Sequence, residues 1–326
     1  MRLSRDIFEN KMKNKLFIIV YILIYTLIIL LPMIHSEYNV INNDTLAHLD
    51  AFAHMKLYGY QGLYGGQVMT GWLLNHINDL TGISVKTLFM WFNFGMLAIA
   101  GLSVGLMTYI LTKNKLGFVV ASLFTVFGVN ATLHLFYCGT IFNIISVLVI
   151  LPLIITLAST IRYLRTKWII VIGALSLAML GLAVFTFHPS LGMGILQNGD
   201  LKEPVLNPMQ AIANYIGIFS LILLVVSIYS IWQGKVKIDW FNYATLGCLS
   251  FIAIISIILG FWGLNPYPFR ITINMSLILL LIVSLLIGFA LNNKNKAIRY
   301  GTLLIAGISV ISNLADWVLN RILLGV

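Results

Sequence analysis

The sequence predicts an all-α, polytopic membrane protein: about nine transmembrane helices, with two surface helices in the first external loop. Three observations carry this. Of 326 residues, 60% are hydrophobic and only 9% charged, where a soluble domain is typically about a quarter charged. Apolar runs long enough to cross a hydrocarbon core, about 20 residues each, recur along the chain. The basic residues gather in alternate connections, which orients the helices.

Taken in order, the spans are read at 16–34, 84–111, 116–133, 140–160, 168–187, 209–232, 240–262, 271–291 and 300–322. The first follows Lys13 and Lys15 as a signal peptide would. It is longer than a typical h-region and no small-x-small cleavage site follows, so it reads as an anchor. With the N-terminus inside, the external side holds only Lys56, Lys86, Lys202, Arg270 and Arg321 of the 20 Lys and Arg residues. The others fall on the cytoplasmic side. The expected location is the plasma membrane, N-terminus cytoplasmic and C-terminus external. The formal charge of +10 is then an orientation signal and an attraction to anionic headgroups, with no nucleic-acid partner implied. Short cytoplasmic connections leave no room for an inserted domain, so residues 1–326 read as a single transmembrane domain. Cys138, at an outer helix end, and Cys248, inside a helix, predict neither a mutual disulfide nor a thiol metal site.

Two external connections are long, 35–83 and 188–208, and long loops within compact domains are usually functional or disordered. In the first, residues 44–57 follow a helical period. Leu46, Leu49, Phe52, Ala53 and Leu57 are assigned to one face. Asp44, His48, Asp50 and His54 are assigned to the opposite arc, with Ala47 and Ala51 between them. Asp44, after Asn42 and Asn43, is the expected N-cap. The pattern predicts an interfacial helix, greasy side down and Asp/His side up. After the Gly-rich turn at 59–66, the stretch 67–80 is too short to span and is expected at the outer surface.

Asp44 and His48 are four residues apart, as are Asp50 and His54, so each pair shares a helix face. A carboxylate poised by an imidazole is a general base for activating a hydroxyl. The same groups, Asp44 and His48 first, are ligands for a divalent metal such as Mn²⁺, Mg²⁺ or Zn²⁺. An interfacial helix with a solvated polar face accounts for the spacing equally well. Further outer residues are His134 and Tyr137 at the end of span 116–133, and His188, before Pro189, at the end of span 168–187. Arg270 follows Pro266 and Pro268, and a guanidinium held at headgroup depth suits bidentate phosphate binding. The plainer roles are a snorkelling arginine for Arg270 and a carbonyl-capping imidazole for His188.

With NNDTLAHLDAFAH after the first span, two short helices in that loop, FHPS at an external helix end and NPYPFR in a late external loop, the chain resembles the GT-C superfamily of membrane glycosyltransferases. The resemblance implies a polyprenyl-phosphate-linked sugar donor used at the extracytoplasmic face. It also implies a first-loop carboxylate as catalytic base or metal ligand, here Asp44 or Asp50, assisted by His48 and His54. The late arginine that contacts donor phosphate maps to Arg270, with His188, Tyr137 and His134 as accompanying substrate-binding residues. The adjacent acidic pair common in that loop is replaced here by the spaced Asp/His set. A different class of function is a non-catalytic GT-C-like subunit or lipid-binding scaffold. For that role Gly101-Leu-Ser-Val-Gly105 offers a small-xxx-small face to a membrane-protein partner, or to close packing within the chain. Ion-coupled transport is disfavoured because the spans are almost bare of ionisable groups, Asp316 being the nearest case. No Ser or Cys within a span visibly pairs with a His, which disfavours intramembrane proteolysis.

Overall fold

A computed structural model describes residues 2–31, 43–59, 65–128, 132–133, 141–161, 208–233, 236, 238–261 and 268–319. The structure is all-helical, 92% helix, with no strand among the described residues. In chain order the helices are α1 (Arg2–Leu30), α2 (Asn43–Tyr58), α3 (Gly65–Thr81), α4 (Val85–Thr112) and α5 (Lys115–Phe127). Then come α6 (Ile141–Ile161), α7 (Pro208–Trp232), α8 (Trp240–Phe261), α9 (Pro268–Ala290) and α10 (Lys296–Asp316). Every predicted span holds a helix except 168–187, which lies outside the described residues.

The count of nine spans is corrected. Among the described residues three helices are long and apolar enough to cross a membrane: Val85–Thr112, Ile141–Ile161 and Lys296–Leu319. The 13 residues of α5 cover about 20 Å at 1.5 Å each, short of a core of about 30 Å. Gly217, at φ 73° and ψ 158°, breaks α7.

Local chemistry sets the helix ends. Ser84 caps α4, its Oγ accepting from Thr87 N–H at 3.1 Å. Asn114 and Asn295 do the same for α5 and α10, accepting from Gly117 N–H at 3.1 Å and Ala297 N–H at 3.0 Å. In α6, Pro152 has no N–H to give the carbonyl of Leu148 and crowds it. The helix widens to a π turn over Ile145–Ile150, with Leu151 N–H bonding to Ser146 O. Pro268 begins α9 two residues before Arg270. Arg270 is therefore in the first helical turn, where proline is well tolerated, at the opening of the helix that follows the Pro-containing loop.

The core is built around α9, buried almost all round from Ser276 to Leu291 and packed against α4, α5, α7 and α8. Close approach needs small residues. A Cβ on Gly105 would stand 2.8 Å from Phe118 O, and one on Gly101 would stand 2.7 Å from Ser122 O and overlap the Tyr25 hydroxyl. The small-xxx-small face thus packs α4 against α5 and α1 within this chain.

The bundle has two chemically distinct ends. One gathers the α4–α5 turn and the junction of α9 with α10, tied by Asn114 Nδ2 to Asn292 Oδ1 at 2.8 Å and Asn292 Nδ2 to Thr112 O at 2.7 Å. The ends of α7 and α8 join it through Asn293 Nδ2 to Ser230 Oγ at 2.6 Å and Asn242 Nδ2 to Leu111 O at 3.2 Å. Lys113, Lys115, Lys294, Lys296 and Arg299 are at this end. The other end, about 40 Å away along α4, carries α2 and α3 on the first turns of α4 and α6. The C-terminal parts of α1, α5 and α10 meet there through Trp317 Nε1 to Ile28 O at 3.1 Å and Asn313 Nδ2 to Phe127 O at 2.6 Å. Around the sides, α1 exposes Leu16, Phe17, Val20, Leu23 and Leu27, and α7 exposes Ile218, Val225 and Ile228. With the three candidate spans, these apolar faces make the protein membrane-associated.

Candidate functional site

The first-loop motif folds into α2, which starts at Asn43. Asp44 is therefore inside the first turn and is not the N-cap expected from sequence. The predicted face of α2 is also corrected. Buried residues are His48, Ala51, Phe52 and Met55, a stripe at i, i+3, i+4 and i+7, whereas Leu46 and Leu57 are exposed. The reason is angular. Residues two apart on a helix stand about 200° apart, so burying His48 turns Asp50 outward. Asp50 and His54 are exposed, with the His54 ring 4.9 Å from that of Tyr58.

His48 is 6% exposed and sits among three phenylalanines. Its ring centroid is 6.4 Å from Phe52, 5.8 Å from Phe89 on α4 and 5.0 Å from Phe142 on α6, the last two edge-on. A buried imidazole needs polar partners, and Gln67 of α3 lies 3.2 Å from its Nδ1 through Nε2. With the Gln67 amide donating, Nδ1 is the acceptor. This fixes the ring's orientation.

The helix that supplies Gln67 turns its polar side inward. The buried positions of α3 are Gln67, Thr70, Gly71, Leu74 and Asn75, while Met69, Trp72, Leu73 and Leu80 face out. Asn75 Nδ2 donates to Phe52 O at 3.1 Å. A Cβ on Gly71 would meet the Phe52 ring at 2.7 Å, so glycine there lets α2 and α3 close on each other. Lys56 Nζ bridges to Asp79 at 2.6 Å on the rim. Outside, Met69, Trp72 and Leu73 stand beside exposed His76 and Asp79, the mixture expected of a helix at a boundary between apolar surroundings and water.

The four expected catalytic residues therefore do not share one surface. Asp50 and His54 stand on the open side of α2 and His48 on the bundle side. Asp44 is one turn before His48 by helical register, its side chain outside the described residues. Among the described residues no three His, Cys, Asp or Glu side chains come together to hold a metal ion. Arg270 begins α9, whose direction puts its first turn at the α2–α3 end; its side chain lies outside the described residues, as do His134, Tyr137 and His188.

Sequence reading missed Gln67, Phe89 and Phe142. The signal for Gln67 was present: Gln67, Thr70 and Asn75 fall on one helical face, a polar stripe opposite Met69, Trp72 and Leu73. Nothing local marked Phe89 or Phe142 as neighbours of His48. No family model matches the chain, and neither the curated proteins nor the solved structures yield a match.

Proposed function

We propose that the chain is a GT-C-like glycosyltransferase that moves a sugar from a polyprenyl-phosphate donor at the extracytoplasmic face. The observation that carries the reading is the buried His48, held by Gln67 and ringed by Phe52, Phe89 and Phe142. A fixed imidazole one turn from a carboxylate is the arrangement a general base requires. Asp44 is the base and His48 orients it. Asp50 and His54, on the open side of α2, assist by meeting an acceptor arriving from water. Arg270 binds the donor phosphate at headgroup depth. The basic end of the bundle is cytoplasmic, as Lys and Arg accumulate there, which makes the α2–α3 end external.

The outward apolar side of α3 supports this placement, since a lipid-linked donor must reach the site along the membrane surface. In the test, purified protein is incubated with polyprenyl-phosphate sugars and candidate acceptors. Asp44→Asn abolishes transfer with the fold intact, Asp50→Asn slows it, and Arg270→Ala weakens donor binding by about 2–4 kcal/mol. Full activity in Asp44→Asn, or no consumption of any lipid-linked sugar by the native protein, refutes the proposal.

One observation favours a second reading, a non-catalytic membrane subunit or lipid-binding scaffold: the separation of Asp50 and His54 from His48. On that reading Asp44→Asn leaves complex assembly and lipid retention unchanged, and no transfer is measurable with the native protein.

A further inference from the structure

The basic end carries chemistry that the proposed transfer does not use. Lys113, Lys115, Lys294 and Arg299 line an open depression of about 510 Å³ together with Asn114, Asn292 and Asn293. Among the described residues no carboxylate is in that lining; Asp239, at the same end, accepts from Asn242 N–H at 2.9 Å to cap α8. Four cationic side chains on one concave surface make a positive potential that favours an anion with more than one oxygen.

The frame that holds them is built. Asn114 bonds Asn292 across the depression and Asn292 bonds Thr112 O. Asn293 Oδ1 accepts from Asn295 N–H at 2.8 Å. The capped N-termini of α5 and α10 add their partial positive charge. Lys113 ends α4 in the left-handed region, at φ 56° and ψ 24°. Glycine or asparagine normally takes that position, and a strained residue points to a side chain in use.

Lys115 also lines a second hollow of about 240 Å³, whose other walls are Ile18, Ile22, Leu102, Leu106, Tyr109 and Phe118. This groove between α1, α4 and α5 is otherwise apolar, and it shares Lys115 with the basic depression. A free phosphate would fill only the first hollow; a lipid fills both.

We propose that the two hollows form one site for an anionic phospholipid, its phosphate among Lys113, Lys115, Lys294 and Arg299 and an acyl chain in the groove. The site stands independently of the transferase reading. The test uses full-length protein in mild detergent, titrated with dioleoyl phosphatidylglycerol, dioleoyl phosphatidylcholine, glycerol 3-phosphate or inorganic phosphate, and read by native mass spectrometry and thermal shift. The expected result is saturable retention of one phosphatidylglycerol, in preference to phosphatidylcholine. Each basic residue near a charged headgroup contributes about fivefold, so Lys113→Gln with Arg299→Gln lowers affinity about 25-fold. Lys113→Arg with Arg299→Lys keeps it, and Lys86→Gln, at the opposite end of α4, changes nothing. Leu106→Trp fills the groove and weakens lipid binding with all four cations in place, which keeps the test sound if the double Gln variant misfolds. Phosphatidylcholine bound as tightly as phosphatidylglycerol overturns the proposal. So do unchanged affinity in the Gln or Trp variants, and equal binding of glycerol 3-phosphate or inorganic phosphate.

Discussion

Replacing Gly105 by alanine places a methyl group 2.8 Å from Phe118 O, 3.0 Å from Ser122 Cβ and 3.1 Å from Phe118 Cδ2. Ordinary contact needs α4 and α5 to part by roughly half an ångström, and close-packed interiors resist that. Overpacking of this size costs about 1–3 kcal/mol. Alanine also favours a helix over glycine by about 0.8–1 kcal/mol, which masks part of the loss in a single measurement. Gly95 supplies the control. It is in the same helix, and a Cβ there meets nothing within 4 Å, so Gly95→Ala shows the propensity gain alone. The difference between the two variants isolates the packing term, about 1–3 kcal/mol. At roughly 1.5 °C per kcal/mol for a chain of 326 residues, it appears in a detergent thermal-unfolding assay as a gap of about 1.5–4.5 °C. If Gly105→Ala is as stable as Gly95→Ala, the Gly101–Gly105 face does not pack on α5 as described and is open to a partner helix instead.

The remaining predictions concern the α2–α3 hairpin. Gln67→Leu removes the Gln67 amide from the buried His48 Nδ1 and costs about 1–3 kcal/mol, whereas His48→Phe with Gln67→Leu recovers much of that loss. Strictly additive losses in a double-mutant cycle measured by equilibrium unfolding would falsify the coupling. The Lys56–Asp79 bridge is about half exposed on both sides, so Asp79→Asn costs under about 1 kcal/mol and even less at high salt. A loss above 2 kcal/mol in the same assay means that the bridge is not in fact on a solvated rim.

Composition and period alone determined the helical class, because hydrophobic content and apolar run length are local properties of the chain. The sequence also foresaw the sorting of charge: Lys113, Lys115, Lys294, Lys296 and Arg299 gather at one end of the bundle because successive helices reverse direction. It predicted a helix in the first loop and a second short one beside it, now α2 and α3. Apolar run length does not show a breaker such as Gly217, which interrupts the helix without interrupting hydrophobicity. The burying face of α2 required the tertiary structure. Its choice rests on Gln67, Phe89 and Phe142, which come from three other helices and have no signature in the motif itself. Once their rings and amide enclose His48, the 200° between alternate helix positions sends Asp50 to the opposite side. In the same way the residues between Gly101 and Gly105 do not reveal whether that face meets a partner or its own chain. The carbonyls of Phe118 and Ser122 decide it, because the α4–α5 turn folds them back onto it.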